Sequence, residues 1–282
     1  MLDETIFELD LPEEERWENL TLANDFLFGK IFQDPDLCLK LVKIILPELN
    51  IERVTFPVLQ KSIRETFETR GVRFDVYLRD NEDRIINVEM QPVNRDNLMK
   101  RTRAYHSLID LDTMDRESVK NYSDMPEVIV IFICGFDLFK LGRHMYTFRN
   151  YCVQERDLML NDGTETIFLN TKGNADDISP KLKSFLDLVN GKSSNDDFVN
   201  ELERRLEYAK QNRKWRQMYM LGKFERQANI DEGIEIGIKR GIEIGREIGR
   251  ENLIKNFLNA YSKRTGVTTE DIAEIEELLM KS

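Results

Sequence analysis

The sequence predicts an α/β fold: a mixed sheet flanked by helices, followed by a C-terminal helical extension. Three observations carry this. Residues 73–91, RFDVYLRDNEDRIINVEMQ, alternate apolar and polar side chains on either side of a polar turn, which is the pattern of a β-hairpin. Residues 128–134, VIVIFIC, form a continuous apolar run, as a strand covered on both faces does. Between them the period becomes helical, with Leu98, Tyr105, Leu108 and Ile109 at helix spacing. Hairpin, helix and buried strand in that order imply a mixed sheet with helices packed on it.

The remaining elements follow in order. Residues 1–19 read as an acidic arm, helical from Pro12. Asn24 is placed to cap a short helix that puts Phe28 and Phe32 on one face. A second helix, 36–46, is expected to bury Leu37, Leu41, Ile44 and Ile45 and to stop before Pro47. Residues 51–59 suit an edge strand, given Pro57. Beyond the buried run, strands are expected at 145–153 and 166–170, separated by the turn Asn161-Asp162-Gly163. Residues 178–189 and 197–224 have helical periodicity. The expected organisation is therefore an arm over 1–19, a domain over 20–195 and a helical region over 196–282.

With 282 residues, 41% of them apolar, the chain is long enough for a sizeable core. Its longest apolar run is too short to span a membrane, and its first residues lack the basic, apolar layout of a signal peptide. Cys38, Cys134 and Cys152 are odd in number and widely spaced, which fits neither a disulfide framework nor a zinc knuckle and points to a reducing cytoplasm. Two histidines, His106 and His144, are too few for a histidine-rich metal centre. The net charge of −11 argues against nucleic acid only on average. Residues 1–18 carry −7 and residues 269–282 carry −4, so the body between them is neutral and can hold a local basic groove.

The hairpin is the first candidate for chemistry. Folded symmetrically about Glu82, it opposes Asp75 to Glu89 and Arg73 to Gln91 on its polar face, with directly opposed Cβ atoms roughly 4.5–5.5 Å apart. Opposed carboxylates repel unless something compensates them. A divalent metal taking hard oxygen ligands is one answer, and a solvated face with Arg73 as counter-ion is the other. Just downstream, Arg95, Lys100, Arg101 and Arg103 outweigh Asp96. This cluster is either an ordinary solvated helix face or a phosphate contact beside the carboxylates.

Residues 232–250, EGIEIGIKRGIEIGREIGR, are an internal repeat in which Gly233, Gly237, Gly241, Gly245 and Gly249 recur every four residues. Each glycine inside a helix costs roughly 1 kcal/mol against Ala. The stripe is either a flexible glycine-rich tail or a helix that a partner helix approaches closely; the second reading is preferred, and the repeat is then expected to mediate homo-oligomerisation, most simply a dimer. Its many charges exclude a membrane span.

These segments taken together resemble the Rpn-like PD-(D/E)XK nuclease family transposases, also called recombination-promoting nucleases. The resemblance runs along most of residues 20–250 and rests on NDFLFGKIF (24–32), RFDVYLRD with NVEMQ (73–91), RTRAYHSLIDLD (101–112), VIVIFICGFD (128–137), YTFRNYC (146–152), DGTETIFLNTKG (162–173) and the glycine-periodic tail. It implies a restriction-endonuclease-like sheet and a metal-dependent DNA endonuclease using Mg²⁺ or Mn²⁺. The family's metal-binding acids fall on Asp75 and Glu89, with the Met90 carbonyl as a further ligand. The signature lysine falls on Gln91, which would orient the attacking water by hydrogen bonding but lacks a positive charge. Lys100, Arg101 and Arg103 would hold the DNA backbone. Asp25 either resembles an additional metal-binding acid or caps its helix. Three functional readings follow: an active endonuclease linked to recombination or mobile elements, a weak or inactive relative that binds DNA or a partner, and an oligomeric interaction protein.

Overall fold

The structure is a computed structural model and describes residues 12–56, 74–94, 97–114, 119–263 and 268–281. The chain divides into two compact units, Met1–Tyr219 and Met220–Ser282.

The first unit is built on β1 (Val54–Thr55), β2 (Val76–Asp80), β3 (Ile85–Gln91), β4 (Val128–Cys134), β5 (Met145–Phe148) and β6 (Thr164–Asn170). They form one six-stranded sheet in the order β1-β2-β3-β4-β6-β5. The central pairs β3–β4 and β4–β6 are parallel, and the others are antiparallel. Helix α1 (Asp25–Ile31) and helix α2 (Pro35–Ile45) precede the hairpin, and α3 (Leu98–Met114) makes the crossover from β3 to β4. After β6 come α4 (Pro180–Val189), α5 (Asp197–Lys210), α6 (Arg213–Tyr261) and α7 (Thr269–Lys281).

The caps are those the sequence offers. Asn24 accepts from Leu27 N at the head of α1, and Asp34 caps α2 ahead of Pro35. Ser179 and Asp196 cap α4 and α5. Strand β4 is buried along all seven residues, as its β-branched run requires. On one face of the sheet, Ile85, Val128, Val130, Phe132, Cys134 and Phe168 pack with Leu98, Tyr105 and Ile109 of α3. Toward the other face α1 lies against β3, α5 packs on α1, and α4 packs on α5 and α2.

Several expectations shift. The edge strand at 51–59 shrinks to Val54–Thr55, residues 57–59 lying outside the described residues. Helix α2 buries Cys38 and Val42 in addition to Leu37, Leu41 and Ile45, and leaves Ile44 half-buried. Strand β5 stops at Phe148 instead of Val153, because the chain continues as a loop closed by a Tyr151–Met159 bridge. The turn before β6 has Asn161 and Gly163 at φ of 54° and 74°, the left-handed conformations that Asn and Gly tolerate. Residues 197–224 are two helices, broken at Gln211-Asn212. Trp17 is packed, its indole N–H donating to Lys210 O and its ring meeting Phe26 edge-to-face and Tyr219 at a tilt. The two units part after Tyr219, and α5 is seated on α1 within the first of them.

The second unit contains most of α6 together with α7. Arg250 Nη2 donates to Leu279 O, and Ile254 and Leu258 are buried. The glycine repeat lies within the 49-residue helix α6. A Cβ built on any of Gly233, Gly237, Gly241, Gly245 or Gly249 meets nothing within 4 Å, and Ile234, Ile238, Ile242 and Ile248 are about half exposed. Among the described residues no helix is long and apolar enough to cross a membrane.

Candidate active site

The hairpin has the symmetric register. Val76 pairs with Val88, Tyr77 with Asn87 and Leu78 with Ile86, which carries Asp75 to Glu89 one residue beyond the strand. The turn pins this register: Asp80 accepts from Glu82 N and Arg84 N, and its carboxylate pairs with Arg84 Nε at 2.7 Å in a nearly buried ion pair. Asp83 supplies the left-handed residue, at φ 63°.

The polar face of this hairpin is not solvated. All seven residues of β3 are buried, Asn87, Glu89 and Gln91 included, because α3 covers the face that the alternation made polar. The two acids are drawn together at the strand end. Asp75 Oδ2 accepts from Met90 N at 2.8 Å, and Asp75 N donates to Glu89 Oε1 at 3.3 Å. Glu89 Oε1 also accepts from Asn87 Nδ2 at 3.0 Å, and Glu89 Oε2 accepts from the Tyr105 hydroxyl at 3.0 Å. Burial first, and the charge of Asp75 second, hold the Glu89 carboxyl well above its ordinary range. Burial also raises the Tyr105 phenol, with Glu89 adding to the effect. Asn87 Oδ1 is buried with no partner among the described residues, a penalty of about 1–3 kcal/mol that a purely structural sheet would avoid with an apolar residue.

Gln91 is 7% exposed and fixed at both ends of its amide. Its Nε2 donates to Val93 O at 2.6 Å, and its Oε1 accepts from Arg101 Nη1 at 2.9 Å. Arg101 reaches back from the first turn of α3, and its Nη2 donates to Tyr105 Oη at 3.1 Å. The pair sits four residues apart on one helix face, with the guanidinium 5.7 Å from the Tyr105 ring centre. The basic cluster is therefore split: Arg101 is half-buried in the site, whereas Lys100 and Arg103 are exposed on the outer side of α3. Arg73 and Arg95 lie outside the described residues.

Two close approaches bring distant motifs to this point. A Cβ on Gly29 of α1 would stand 3.2 Å from Asp75 O, so glycine lets the helix rest on the backbone of the first acid. A Cβ on Gly135 would stand 2.5 Å from Pro92 O, and Gly135 N donates to Gln91 O, so the end of β4 closes on the end of β3. Asp25 lies one turn before Gly29, on the same face of α1. It is exposed, its Oδ1 accepts from Phe26 N, and the N-cap role belongs to Asn24.

Other reactive groups are engaged elsewhere. Burial pushes the thiols of Cys38 and Cys134 up to about 12, which leaves them protonated and inert at neutral pH. His106 meets Thr166 Oγ1, and His144 meets Asp177. Among the described residues no group of three or more His, Cys, Asp or Glu side chains is arranged to hold a metal ion. An ion at Asp75 and Glu89 would therefore complete its shell with main-chain carbonyl, water or substrate oxygens, as Mg²⁺ commonly does. A buried and a half-buried carboxyl group, with only oxygen donors, fit a hard divalent cation.

The structure brings together Asp75, Glu89, Gln91 and Arg101 of the residues singled out in the sequence, and adds Tyr105 and Asn87 to them. Both had a signal: Tyr105 follows Arg101 by one helical turn, and Asn87 precedes Glu89 by two residues on the same strand face.

An acidic pair therefore stands at the end of the β2–β3 hairpin, with Arg101 bonded to Gln91 beside it. The sequence pattern of the PD-(D/E)XK nuclease family transposases matches residues 22–232, and the chain belongs to that family. The match ends at residue 232, so the glycine repeat lies beyond it. No curated protein and no solved structure matched the chain.

Proposed function

We propose that this chain is a metal-dependent DNA endonuclease, associated with recombination or mobile elements. The observation that carries the reading is the pairing of half-buried Asp75 with buried Glu89, where Asp75 Oδ2 and Glu89 Oε1 are tied to each other's strands and Glu89 is held by Tyr105 and Asn87. Asp75 and Glu89, with the Met90 carbonyl, would hold Mg²⁺ or Mn²⁺, and Asp25 lies on the helix face that abuts Asp75. When bound, the ion supplies Lewis-acid polarisation of the phosphate and acidifies a water molecule. Gln91 would orient the attacking water: its amide retains one donor and one acceptor position beyond the bonds to Val93 and Arg101. Lys100 and Arg103, exposed on α3, attract the DNA backbone.

The bare glycine stripe favours a companion reading, in which the chain works as a homo-oligomer joined through Gly233, Gly237, Gly241, Gly245 and Gly249. A dimer would present two single-cut sites to the two DNA strands. A catalytically weak protein that binds DNA or a partner is the second functional reading, favoured by Gln91 in the lysine position.

The test is plasmid cleavage during titration with Mg²⁺ and Mn²⁺, comparing wild type with Asp75→Ala and Glu89→Ala. Nicking that needs the ion and both acids is expected. Cleavage that persists in excess chelator, or in both variants, refutes the assignment of the site.

A further inference from the structure

The third signature position carries no charge in this chain, and the fold brings one to it. Gln91 is reached by a guanidinium from the residue ten positions later, at 2.9 Å. The Arg101 guanidinium has five N–H donors in a planar fork. One donates to Gln91 Oε1 and another to Tyr105 Oη, and both acceptors are neutral. Among the described residues no carboxylate lies in ion-pair contact with it, although Glu89 is one hydrogen bond further on through Tyr105. A half-buried cation that is held by neutral oxygens and keeps three donors unused can take up an anion.

We infer that Arg101 is a catalytic residue, the cation that contacts the scissile phosphate in place of the missing lysine. The inference rests on the nuclease reading and deepens it. The bond to Gln91 Oε1 fixes the near end of the guanidinium at the strand end, and the bond to Tyr105 fixes its far end. Tyr105 is thus a positioning residue shared by Glu89 and Arg101, so the acid and the cation are held by one phenol. During hydrolysis the water oxygen forms the new P–O bond, and the bond from phosphorus to the departing sugar oxygen breaks. The water's proton leaves to solvent, and the departing oxygen takes a proton from solvent. Negative charge builds on the non-bridging phosphate oxygens, which is where a fixed guanidinium stabilises the transition state more than the ground state. Arg101 is thereby separated in function from Lys100 and Arg103, whose exposed positions suit the general attraction of DNA.

The experiment exchanges the position of the charge. Single-turnover cleavage in Mn²⁺ is measured for wild type, Arg101→Ala, Arg101→Lys, Gln91→Lys and the double variant Gln91→Lys/Arg101→Ala. Duplex affinity is measured in parallel in Ca²⁺ by fluorescence anisotropy, and each melting temperature is recorded. Arg101→Ala is expected to lose rate by on the order of 10²–10³, as removal of one fixed transition-state donor does. Its duplex affinity should fall much less than its rate. Arg101→Lys keeps the charge without the fork and should retain part of the rate. Lysine at position 91 should restore at least about tenfold in the Arg101→Ala background, yet lower the rate in wild type, where two cations would crowd one site. The inference is overturned if Arg101→Ala cleaves like wild type while wild type remains active. It is overturned equally if affinity falls in proportion to rate, or if lysine at 91 fails to restore a folded Arg101→Ala protein. A wild type that cleaves nothing with either Mg²⁺ or Mn²⁺ refutes the nuclease reading itself, and the inference falls with it.

Discussion

Replacing Glu89 with Gln isolates the energetic consequence of the buried carboxylate. Glu89 is 4% exposed, and burial together with the Asp75 charge lifts its carboxyl well above its ordinary value near 4.5. The folded protein therefore keeps a proton that the unfolded chain has released. This contribution to stability is present in full below about pH 4.5 and is lost as pH rises toward the folded value. Within that window one group changes stability by about 1.4 kcal/mol per pH unit. For a unit of this size that is roughly 3–6 °C in melting temperature per pH unit. Gln fills the same space, still accepts through its carbonyl oxygen and does not titrate. Scanning calorimetry of wild type and Glu89→Gln in chelator, from pH 5 to 8, should show the variant gaining on wild type with that slope until the wild-type carboxyl ionises. Adding Mg²⁺ or Mn²⁺ should reverse the order at the upper end of the range, because the ion selects the carboxylate form of wild type and has less to hold in the variant. Parallel curves for the two proteins in chelator would refute the reasoning, since Glu89 would then ionise without penalty.

Four further outcomes are expected. Tyr105→Phe removes the hydroxyl between Glu89 Oε2 and Arg101 Nη2 and should destabilise the fold by about 1–3 kcal/mol in urea unfolding at neutral pH; an unchanged midpoint would make that bridge irrelevant. Lys100→Ala/Arg103→Ala should weaken DNA binding alike on all sequences and reduce the salt slope by roughly one unit per lost contact, whereas no change would leave those residues as a solvated face. Gly29→Ala should raise the metal requirement for cleavage, because its Cβ presses on Asp75 O at 3.2 Å; an unchanged metal titration would separate α1 from the site. Replacing Gly237, Gly241 and Gly245 with Leu should abolish self-association in sedimentation. Full-length protein that runs as a monomer at micromolar concentration would remove the case for an oligomer, and a truncation after Asn229 that stays associated would move the interface elsewhere.

What was legible in the sequence was whatever depends on period. The β4 strand came out at its observed bounds because a seven-residue apolar run has one good solution in a sheet. The hairpin register came out because a polar turn centred on Glu82 leaves one symmetric pairing, and the buried Asp80–Arg84 pair holds it. What period could not give was which face would be covered. Alternation in β3 suggests one wet face, yet α3 crosses over and buries Asn87, Glu89 and Gln91. The helix that does this carries Leu98, Tyr105 and Ile109 inward; their spacing marks one helix face but not which strand that face covers, which follows only from the crossover. The break at Gln211-Asn212 was missed for a similar reason: the apolar steps continue through it, and only the separate seating of α5 on α1 reveals the joint.

On the inference that Arg101 stands in for the signature lysine, the departure at Gln91 has a structural counterpart. Along the chain, the third position has lost its cation. In the fold, that cation sits on the next element and is returned by helix geometry. Arg101 occupies the first turn of α3, and Tyr105 one turn later fixes the direction in which the guanidinium points. A glutamine is well suited to meet it, because its carbonyl oxygen accepts from the guanidinium while its amide nitrogen anchors on Val93 O. A lysine at position 91 would instead oppose Arg101 with a like charge at a buried strand end. Gln91 and Arg101 are therefore two halves of one device, and each residue's identity is explained by the other. Glu89 joins the same device through Tyr105, so substitutions at these four positions should be strongly non-additive.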